Sequence, residues 1–299
     1  MGKHKRYKLI VIAGPTACGK TGFAVRLARK LDTEIISADS MQVYKWLEFV
    51  TFAPVDPEEK RIHHLVSFLD PGEEYDAARF VSGATDIIQH LWGKNLPAIV
   101  CGGTGMYIKA LLEGLFPIGS DIRIKNSLLE QAAAEGLDFL YRKLMQIDPL
   151  ACEKIHKNDK RRIVRALEVF YMTGRPISQW QAETKGLADI AEVDFVGLIP
   201  SNRGWLRERI ARRIDENITE ASLDKLSDIL PKLGKTSSKA IGVKELSLVL
   251  KGELNLDAAK EMMKASTYQY ARRQMIWFRA QKQMKAVDPV KLRDLEFRI

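Results

Sequence analysis

Short apolar runs alternate with helix-like segments over the first third of the chain. Leu9–Ala13, Glu34–Ala38 and Leu96–Val100 have the length and composition of buried strands, whereas Thr21–Leu31 and Ala77–Trp92 repeat apolar residues at helical spacing. Strands that alternate with helices in this way form parallel sheets whose faces are covered by the helices. The pattern therefore predicts an α/β fold built on a parallel sheet.

The pattern changes to helices alone after residue 120. Between residues 121 and 180 the strand signals vanish, and both Ile124–Glu135 and Leu137–Ile147 have helical periodicity. Asp148-Pro149 provides a break before a further helix, because proline has no backbone N–H to continue one. This region is predicted to be an all-helical insertion.

A strand signal returns at Asp194–Ile199, and the chain from Arg203 to about Lys285 is again helical and basic. We therefore expect three parts. Residues 1–120 form the first part of the core, residues 121–192 form the helical insertion, and residues 193–299 complete the core with basic C-terminal helices.

The chain carries a formal net charge of +9, with 47 lysines and arginines against 38 aspartates and glutamates. A surplus of this size favours an anionic partner, because cations gain free energy by displacing counterions from phosphates. Many proteins are basic for solubility alone, so the placement of the cations has to decide between these interpretations.

The cysteines and histidines indicate no structural metal site. Cys18, Cys101 and Cys152 are far apart and lack metal-ligand spacing, so free thiols in a reducing compartment are expected. The pair His63-His64 also lacks further ligand spacing, which favours a structural or hydrogen-bonding role.

The sequence gives no sign of a membrane segment. No apolar stretch approaches the roughly 18 residues that a membrane span needs. The basic segment Met1–Lys8 is followed by an apolar run too short for a signal peptide. We expect a cytoplasmic protein without a membrane partner.

A phosphate-binding loop follows the first predicted strand and opens a helix, as the pattern GxxxxGK[ST] requires. Its residues are Gly14, Pro15, Thr16, Ala17, Cys18, Gly19, Lys20 and Thr21. The glycines let backbone N–H groups converge on phosphate oxygens, and the helix N-terminus adds partial positive charge. Lys20 can neutralise an outer phosphate, and the Thr21 hydroxyl can ligate Mg²⁺. The motif predicts a phosphate site without naming the reaction.

Two further segments follow predicted strands, whose carboxyl ends line the ligand crevice of an open α/β sheet. Asp39 follows the second strand. It could serve as a general base, as a magnesium organiser or as a helix N-cap, and the spacing alone does not distinguish these roles. Gly102-Gly103-Thr104-Gly105 follows the third strand. Such a turn lets the backbone approach a ligand closely, but it is also a common strand-to-helix connection.

Three basic stretches, at residues 157–168, 203–213 and 270–279, have arginines at near-helical spacing, and the third interleaves them with aromatic residues. Arginine suits phosphate contact, and aromatic rings stack on unpaired bases. Each stretch could equally be an amphipathic helix with its arginines in solvent. Three such stretches beside a phosphate loop favour a nucleic-acid partner.

In this order, the segments resemble the tRNA dimethylallyltransferase (adenosine-tRNA isopentenyltransferase) family. The resemblance covers nearly the whole chain. It is carried by residues 14–21, 37–44, 63–65, 102–107, 155–159, 162–168, 173–175, 240–242 and 270–279. The phosphate loop alone is unspecific, whereas the ordered combination is highly specific.

The resemblance implies a P-loop NTPase-like parallel sheet with an all-helical insertion that grips the anticodon stem-loop of tRNA. It implies transfer of dimethylallyl from dimethylallyl diphosphate to N6 of adenosine 37, with Asp39 as the base for the adenine amine. Thr16, Lys20, Thr21 and Arg209 would hold the diphosphate, with Mg²⁺ at Thr21. Thr104 and Arg123 would lie near the transfer channel.

The resemblance also assigns a set of tRNA contacts. They are Asp39, Ser40, Met41, Gln42, Arg161, Arg162, Ile163, Val164, Arg165, Lys239, Gly242 and Lys244. We further expect a monomer.

Four places depart from the family pattern. Val50–Pro54 replaces a loop of the Gly-Thr-Ala-Lys-Pro type, Ser67 replaces an aspartate, Val243 a tyrosine and Tyr268 an arginine. The first change could alter the loop beside Asp39, and the last two could weaken tRNA contacts.

Two other functions remain open at the level of the sequence. A P-loop small-molecule kinase would use the arginines as a substrate lid. An RNA-binding protein without activity would keep the phosphate loop as a relic.

Overall fold

The computed structural model describes residues 7–293, with side chains as far as Lys291. Met1–Arg6, which make up most of the basic N-terminal segment, lie outside the described residues. The chain divides into two compact units. The first unit joins Met1–Leu112 to Ala188–Ile299, and the second unit is Glu113–Leu187.

The first unit is built on a parallel sheet of six strands in the order β3-β2-β4-β1-β5-β6 within the described residues. The strands are β1 (Tyr7–Ala13), β2 (Ile35–Ser37), β3 (His63–His64), β4 (Ala98–Gly102), β5 (Ala191–Leu198) and β6 (Lys285–Val287). Each neighbouring pair is parallel. Since the strands are parallel, their carboxyl ends meet at one edge of the sheet, beside the central strand β1.

Helices of the first half of the chain cover this sheet. They are α1 (Lys20–Leu31), α2 (Glu48–Thr51), α3 (Pro57–Arg61), α4 (Ala77–Gly93) and α5 (Gly105–Glu113). The apolar stripe of α1, including Phe23 and Leu27, packs on Ile10, Ile12 and Ile99 of the strands. Burial of such side chains stabilises the unit by about 1.5–3 kcal/mol each relative to full exposure.

The second unit is helical and has a core of its own. Its helices are α6 (Ile122–Ala134), α7 (Leu137–Ile147), α8 (Pro149–Cys152), α9 (Lys160–Thr173) and α10 (Ile177–Glu183). Leu128, Leu140, Leu144 and Leu167 are buried together in that core. The buried Asp148 starts α8 as its N-cap, because one carboxylate oxygen accepts from the Ala151 N–H at 3.0 Å and the other from the Ser178 N–H at 2.9 Å.

The C-terminal part returns to the first unit with α11 (Arg203–Asn217), α12 (Glu220–Ile229), α13 (Val243–Leu250) and α14 (Leu256–Arg279). Helix α14 packs against α11 and α13. Phe278 is fully buried, Trp277 is half-buried, and Arg272, Arg273 and Arg279 are exposed.

The predicted α/β fold with a parallel sheet is confirmed, with shifts at the ends of strands. Strand β4 begins at Ala98 rather than Leu96, after Pro97, which cannot donate a ladder hydrogen bond. The edge strands β3 and β6 were not predicted, because two or three residues are too short for a periodic signal. None of the helices in the described part of the chain is long and apolar enough to cross a membrane.

Candidate active site

The phosphate loop leaves β1 at Gly14 and enters α1 at Lys20. Gly14 has φ +145°, and a Cβ there would lie 2.5 Å from the Leu198 carbonyl oxygen, so a side chain does not fit. Gly19 has φ +96° and stands at the N-cap of α1. Glycine at the N-cap has no side chain to accept from the first N–H groups of the helix, and N–H groups at a helix N-terminus suit an anion.

Two cations converge on the loop. The Lys20 Nζ donates to the Pro15 carbonyl at 2.6 Å, which folds the side chain back over the loop. The Arg209 Nε donates to the Ala17 carbonyl at 2.8 Å from helix α11. Bound phosphate oxygens would therefore meet an ammonium and a guanidinium as well as backbone N–H groups.

A crevice of about 1220 Å³ opens above this loop, and both the phosphate loop and the turn after β2 contribute to its wall. Its lining includes Thr16, Lys20, Thr21, Asp39, Arg209 and Arg213. The fold thus brings Asp39 and Lys20 into one cavity because β1 and β2 end at the same edge of the sheet.

Asp39 is held in a turn and does not begin a helix. Its Oδ1 accepts from the Met41 N–H at 2.9 Å and from the Gln42 N–H at 3.4 Å. The next helix, α2, starts only at Glu48, so the interpretation of Asp39 as a helix N-cap is wrong. These two bonds fix the carboxylate while it faces the crevice.

Arg213 is a crevice residue that the sequence analysis did not assign. Its guanidinium lies 3.8 Å from the ring centroid of Phe52. Burial lowers the pKa of Arg213 to about 10, and the nearby carboxylate of Asp39 opposes this shift. Arg213 stays protonated at neutral pH and is a third cation for the site. Its position one helical turn after Arg209 is the signal that could have found it.

Thr104 lies beside the Asp39 turn. Its hydroxyl accepts from the Ser40 N–H at 3.0 Å, and its own N–H donates to the Ala38 carbonyl at 3.0 Å. A Cβ at Gly102 would lie 2.1 Å from that carbonyl oxygen, so the close approach of the two turns requires glycine. The second glycine turn is therefore more than a plain connection between strand and helix.

Tyr270 also reaches this place from α14. Burial raises the pKa of the Tyr270 phenol, and so does the charge of Asp39, while hydrogen bonds with Thr104 and Gln274 oppose the rise. The phenol therefore stays neutral at physiological pH and can both donate and accept hydrogen bonds.

The remaining first-unit residues assigned to tRNA lie in two places. The Gln42 side chain is tied to the Ser37 hydroxyl at 3.3 Å and to the Thr51 carbonyl at 3.4 Å. Ser40 and Met41 are half-buried in the Asp39 turn. The second place is the exposed pair Lys239 and Lys244, on either side of the buried Gly242.

The departures from the family pattern lie in packed positions. A Cβ at Gly242 would lie 2.8 Å from Val50 Cγ1, so Val50 packs against this glycine. Val243 is 3% exposed. Tyr268 lies under the guanidinium of Arg207, 4.4 Å from it. The half-buried Ser67 donates its backbone N–H to the Gln42 carbonyl at 2.8 Å.

The second-unit residues assigned from the sequence have different surroundings. Arg123 stands in the first turn of α6 with its side chain 90% exposed and 3.6 Å from Asp121. Arg161 is exposed, and Arg162 pairs with Asp159 at 3.3 Å. The side chains of Ile163 and Val164 are buried in the helical core.

Arg165 is occupied by contacts within the second unit. Its Nη1 donates to the Gly119 carbonyl at 2.7 Å and to Glu168 at 2.9 Å, and its Nη2 donates to the Ile118 carbonyl at 2.6 Å. Glu168 is buried and also accepts from the Ser120 hydroxyl at 2.5 Å. Arg165 therefore ties α9 to the segment that leads into α6.

The cysteines and histidines lie in structural surroundings. Cys18, Cys101 and Cys152 are free thiols, and burial raises the pKa of Cys101 to about 12. The His64 Nε2 lies 2.5 Å from Glu34. Within residues 7–293, no cluster of three histidine, cysteine or acidic side chains could hold a metal.

A parallel sheet with a phosphate loop after its central strand, facing a carboxylate and three cations, defines a P-loop protein built to handle a phosphorylated substrate. A family model described as IPP transferase matches residues 42–281, and one described as isopentenyl transferase matches residues 7–65. The chain belongs to the IPP transferase family, which confirms the resemblance found in its sequence.

Similar proteins agree with this family. The tRNA dimethylallyltransferase of Geobacter metallireducens is 39% identical over 93% of this chain and 92% of its own length. The solved tRNA isopentenylpyrophosphate transferase of Bacillus halodurans is 33% identical, with a TM-score of 0.67 over 95% of this chain and 90% of that one. A eukaryotic dimethylallyltransferase solved acting on tRNA has a TM-score of 0.75 and 29% identity, over 96% of this chain and 75% of that one.

Proposed function

We propose that this enzyme transfers a dimethylallyl group from dimethylallyl diphosphate to N6 of adenosine 37 in tRNA. The products are N6-isopentenyladenosine in the tRNA and free diphosphate. The observation that carries the proposal is the single crevice in which the phosphate loop and the Asp39 carboxylate face each other. A relic phosphate loop gives no reason for a carboxylate held at this place, whereas a kinase can also use one, so the fate of the transferred group has to separate the two enzymes.

The phosphate loop receives the diphosphate as a leaving group. When the bond between C1 of the dimethylallyl group and the diphosphate oxygen breaks, the electron pair stays on the diphosphate. The loop N–H groups, Lys20, Arg209 and Arg213 stabilise the charge that develops there. This use of the loop differs from phosphoryl transfer, because no bond to phosphorus breaks.

Asp39 acts on the acceptor side. The exocyclic amine of adenine is a weak nucleophile, since its lone pair delocalises into the ring. As N6 forms its bond to C1, the Asp39 carboxylate takes the N6 proton. The base must leave its stack to reach the carboxylate, which suits an adenosine in a single-stranded loop. We assign Thr104, which is bonded to the Asp39 turn, to orient the amine.

Mg²⁺ is the proposed cofactor, and the oxygen donors of the crevice suit it. The Thr21 hydroxyl and the Asp39 carboxylate line the same cavity, and Mg²⁺ prefers such oxygen ligands together with those of a diphosphate. Bound there, it would neutralise part of the charge on the diphosphate.

The anticodon stem-loop of tRNA is the proposed macromolecular partner, gripped in part by the helical insertion. Arg161, Lys239 and Lys244 are exposed cations suited to phosphate contact. We also assign Arg123 to the transfer reaction, as the family resemblance implies. The proposal includes a monomer that works on tRNA in the cytoplasm.

One assay separates this function from its rivals. The purified protein is incubated with Mg²⁺, tRNA and dimethylallyl diphosphate labelled in its carbon chain, and in parallel with labelled ATP and small acceptors. We expect the carbon label in tRNA and none in a tRNA with guanosine at position 37. Phosphoryl transfer without prenylation would overturn the proposal in favour of a kinase, and tRNA binding without either reaction would favour an inactive RNA binder.

A further inference from the structure

Gln274 joins the two glycine turns of the crevice through one side chain. Its Oε1 accepts from the Thr16 backbone N–H at 2.8 Å, and its Nε2 donates to the Gly103 carbonyl at 2.9 Å. Thr16 belongs to the phosphate loop, and Gly103 precedes Thr104 in the second turn. Gln274 lies outside both turns, on α14, and is 6% exposed.

The Gln274 amide is also packed tightly against the second turn. A Cβ at Gly103 would lie 2.2 Å from Gln274 Nε2, so any side chain there would push the amide out of its present position. From Gly103 the connection continues through Thr104, whose hydroxyl accepts from the Ser40 N–H beside Asp39. A continuous set of bonds therefore runs from the diphosphate side of the crevice to the acceptor side.

Loss of this amide would remove one partner from each turn. The half-buried Thr16 N–H would lose its side-chain acceptor, and the Gly103 carbonyl would keep only the Gly105 N–H at 3.1 Å, so each turn would lose hydrogen-bond energy. The two turns would then be free to shift, and transfer reactions are sensitive to displacements of about 1 Å between reacting groups.

We infer that Gln274 is a positioning residue, which fixes the phosphate loop against the Thr104 turn and, through it, against Asp39. This role rests on the proposed transfer reaction. In it Gln274, at the wall of the crevice, acts through the backbone of the two turns.

The test compares three variants with the parent enzyme. Gln274→Met keeps the length of the side chain and removes both backbone hydrogen bonds, together with the bond to the Tyr270 phenol, without adding charge. Gln274→Glu keeps the acceptor for Thr16 and loses the donor to Gly103. Gln269→Met is the matched control, because Gln269 is exposed on the same helix. Each protein is measured for binding of inorganic diphosphate by calorimetry, for prenyl transfer to tRNA, and for its unfolding temperature.

For Gln274→Met we expect diphosphate to bind about tenfold more weakly, and kcat to fall by a further factor of about ten, because both turns lose their common anchor. Gln269→Met should match the parent. The inference is overturned if Gln274→Met keeps both its diphosphate affinity and its kcat within about twofold of the parent. Such a difference is worth well under 1 kcal/mol.

The pH profile of Gln274→Glu separates a positioning role from a purely structural one, because a purely structural role would not change the pH dependence of activity. A carboxylate cannot donate to the Gly103 carbonyl, whereas a protonated carboxyl can. The activity of this variant relative to the parent, measured at each pH, should therefore rise as the pH falls. A flat ratio would contradict the inference, even if Gln274→Met does not fold.

The two proposals fail in different ways. If the parent transfers no prenyl group to tRNA, the proposed function is wrong, and the diphosphate titration still decides whether Gln274 holds the phosphate loop. If the parent is active and the Gln274 variants match it, only the positioning role is wrong.

Discussion

The Asp39 carboxylate is held in a fixed position and also faces the crevice. Two backbone N–H groups hold its Oδ1 in the turn after β2, and the side chain lines the crevice shared with Lys20. A carboxylate in this state needs little reorganisation before it accepts a proton, which is what a general base requires.

Replacement of Asp39 by asparagine is the sharpest test of that role. Asparagine keeps the acceptor for the Met41 and Gln42 N–H groups but loses the charge and the basic oxygen. We expect Asp39→Asn to lower kcat by about 10²–10⁴-fold, the usual contribution of a general base. Single-turnover prenyl transfer measures this, and filter binding should give nearly the parent affinity for tRNA.

Asp39→Ala is the companion variant, because it removes the turn as well as the base. It should be no more active than Asp39→Asn and less stable, since two N–H groups lose their acceptor. Parent-like turnover in Asp39→Asn would show that the carboxylate is not the base.

At the scale of single elements, helix α9 shows that neighbouring arginines can have unrelated roles. Arg161 is exposed. Arg165 donates hydrogen bonds from Nη1 and Nη2 to Gly119, Ile118 and Glu168. The family resemblance assigned both to tRNA. Their surroundings favour phosphate contact for Arg161 and internal support for Arg165.

The salt dependence of tRNA binding separates these roles. Arg161→Ala should reduce the slope of log K against log salt by about 0.7–0.9, the value for one lost phosphate contact. Arg165→Ala should lower the unfolding temperature and leave that slope almost unchanged. If Arg165→Ala instead reduces the slope by about 0.7–0.9 at unchanged stability, Arg165 belongs to the RNA interface.

Glu168 makes the stability of the same element dependent on pH. Burial opposes ionisation of Glu168, but bonds from Ser120, Arg165 and the Asp121 N–H outweigh it and lower the pKa below its usual 4.5. Because the folded pKa is the lower one, the stabilisation is fully present above pH 4.5 and is lost as the pH falls through the folded value.

Thermal unfolding of the parent and of Glu168→Gln tests this dependence. The parent should be the more stable protein at pH 7, and the difference should shrink as the pH falls below 4.5. Glu130→Gln, on the exposed face of α6, serves as the control and should show no such trend. A difference that is constant with pH would show that the charge of Glu168 does not stabilise the fold.

At the scale of the whole molecule, the proposed reaction has a product that can be measured in cells. Bulk tRNA from cells with and without this gene is digested to nucleosides and analysed by mass spectrometry. We expect N6-isopentenyladenosine to disappear with the gene and to return with the parent gene but not with Asp39→Asn. Persistence of the nucleoside in a strain with no second such enzyme would contradict the proposed function.

Much of the site could be predicted from the sequence because its signals are local. The phosphate loop is a backbone geometry encoded by two glycines five positions apart and one Lys-Thr pair, between a strand and a helix. Asp39 and Thr104 were predicted to share a crevice with it because the ends of parallel strands meet. Arg213 was missed as a site residue, because its one signal, the spacing of one helical turn from Arg209, does not by itself say that this face of α11 lines the crevice.

The sequence by itself determined the parallel sheet, the phosphate loop and the order of helices, because these depend on periodicity and on residues a few positions apart. Only the tertiary structure decided which arginine supports the fold, that Arg213 lines the same crevice as Asp39, and that Gln274 bonds to Thr16, 258 positions earlier. The physical reason is that such contacts depend on how distant segments pack together, and no local pattern records that packing.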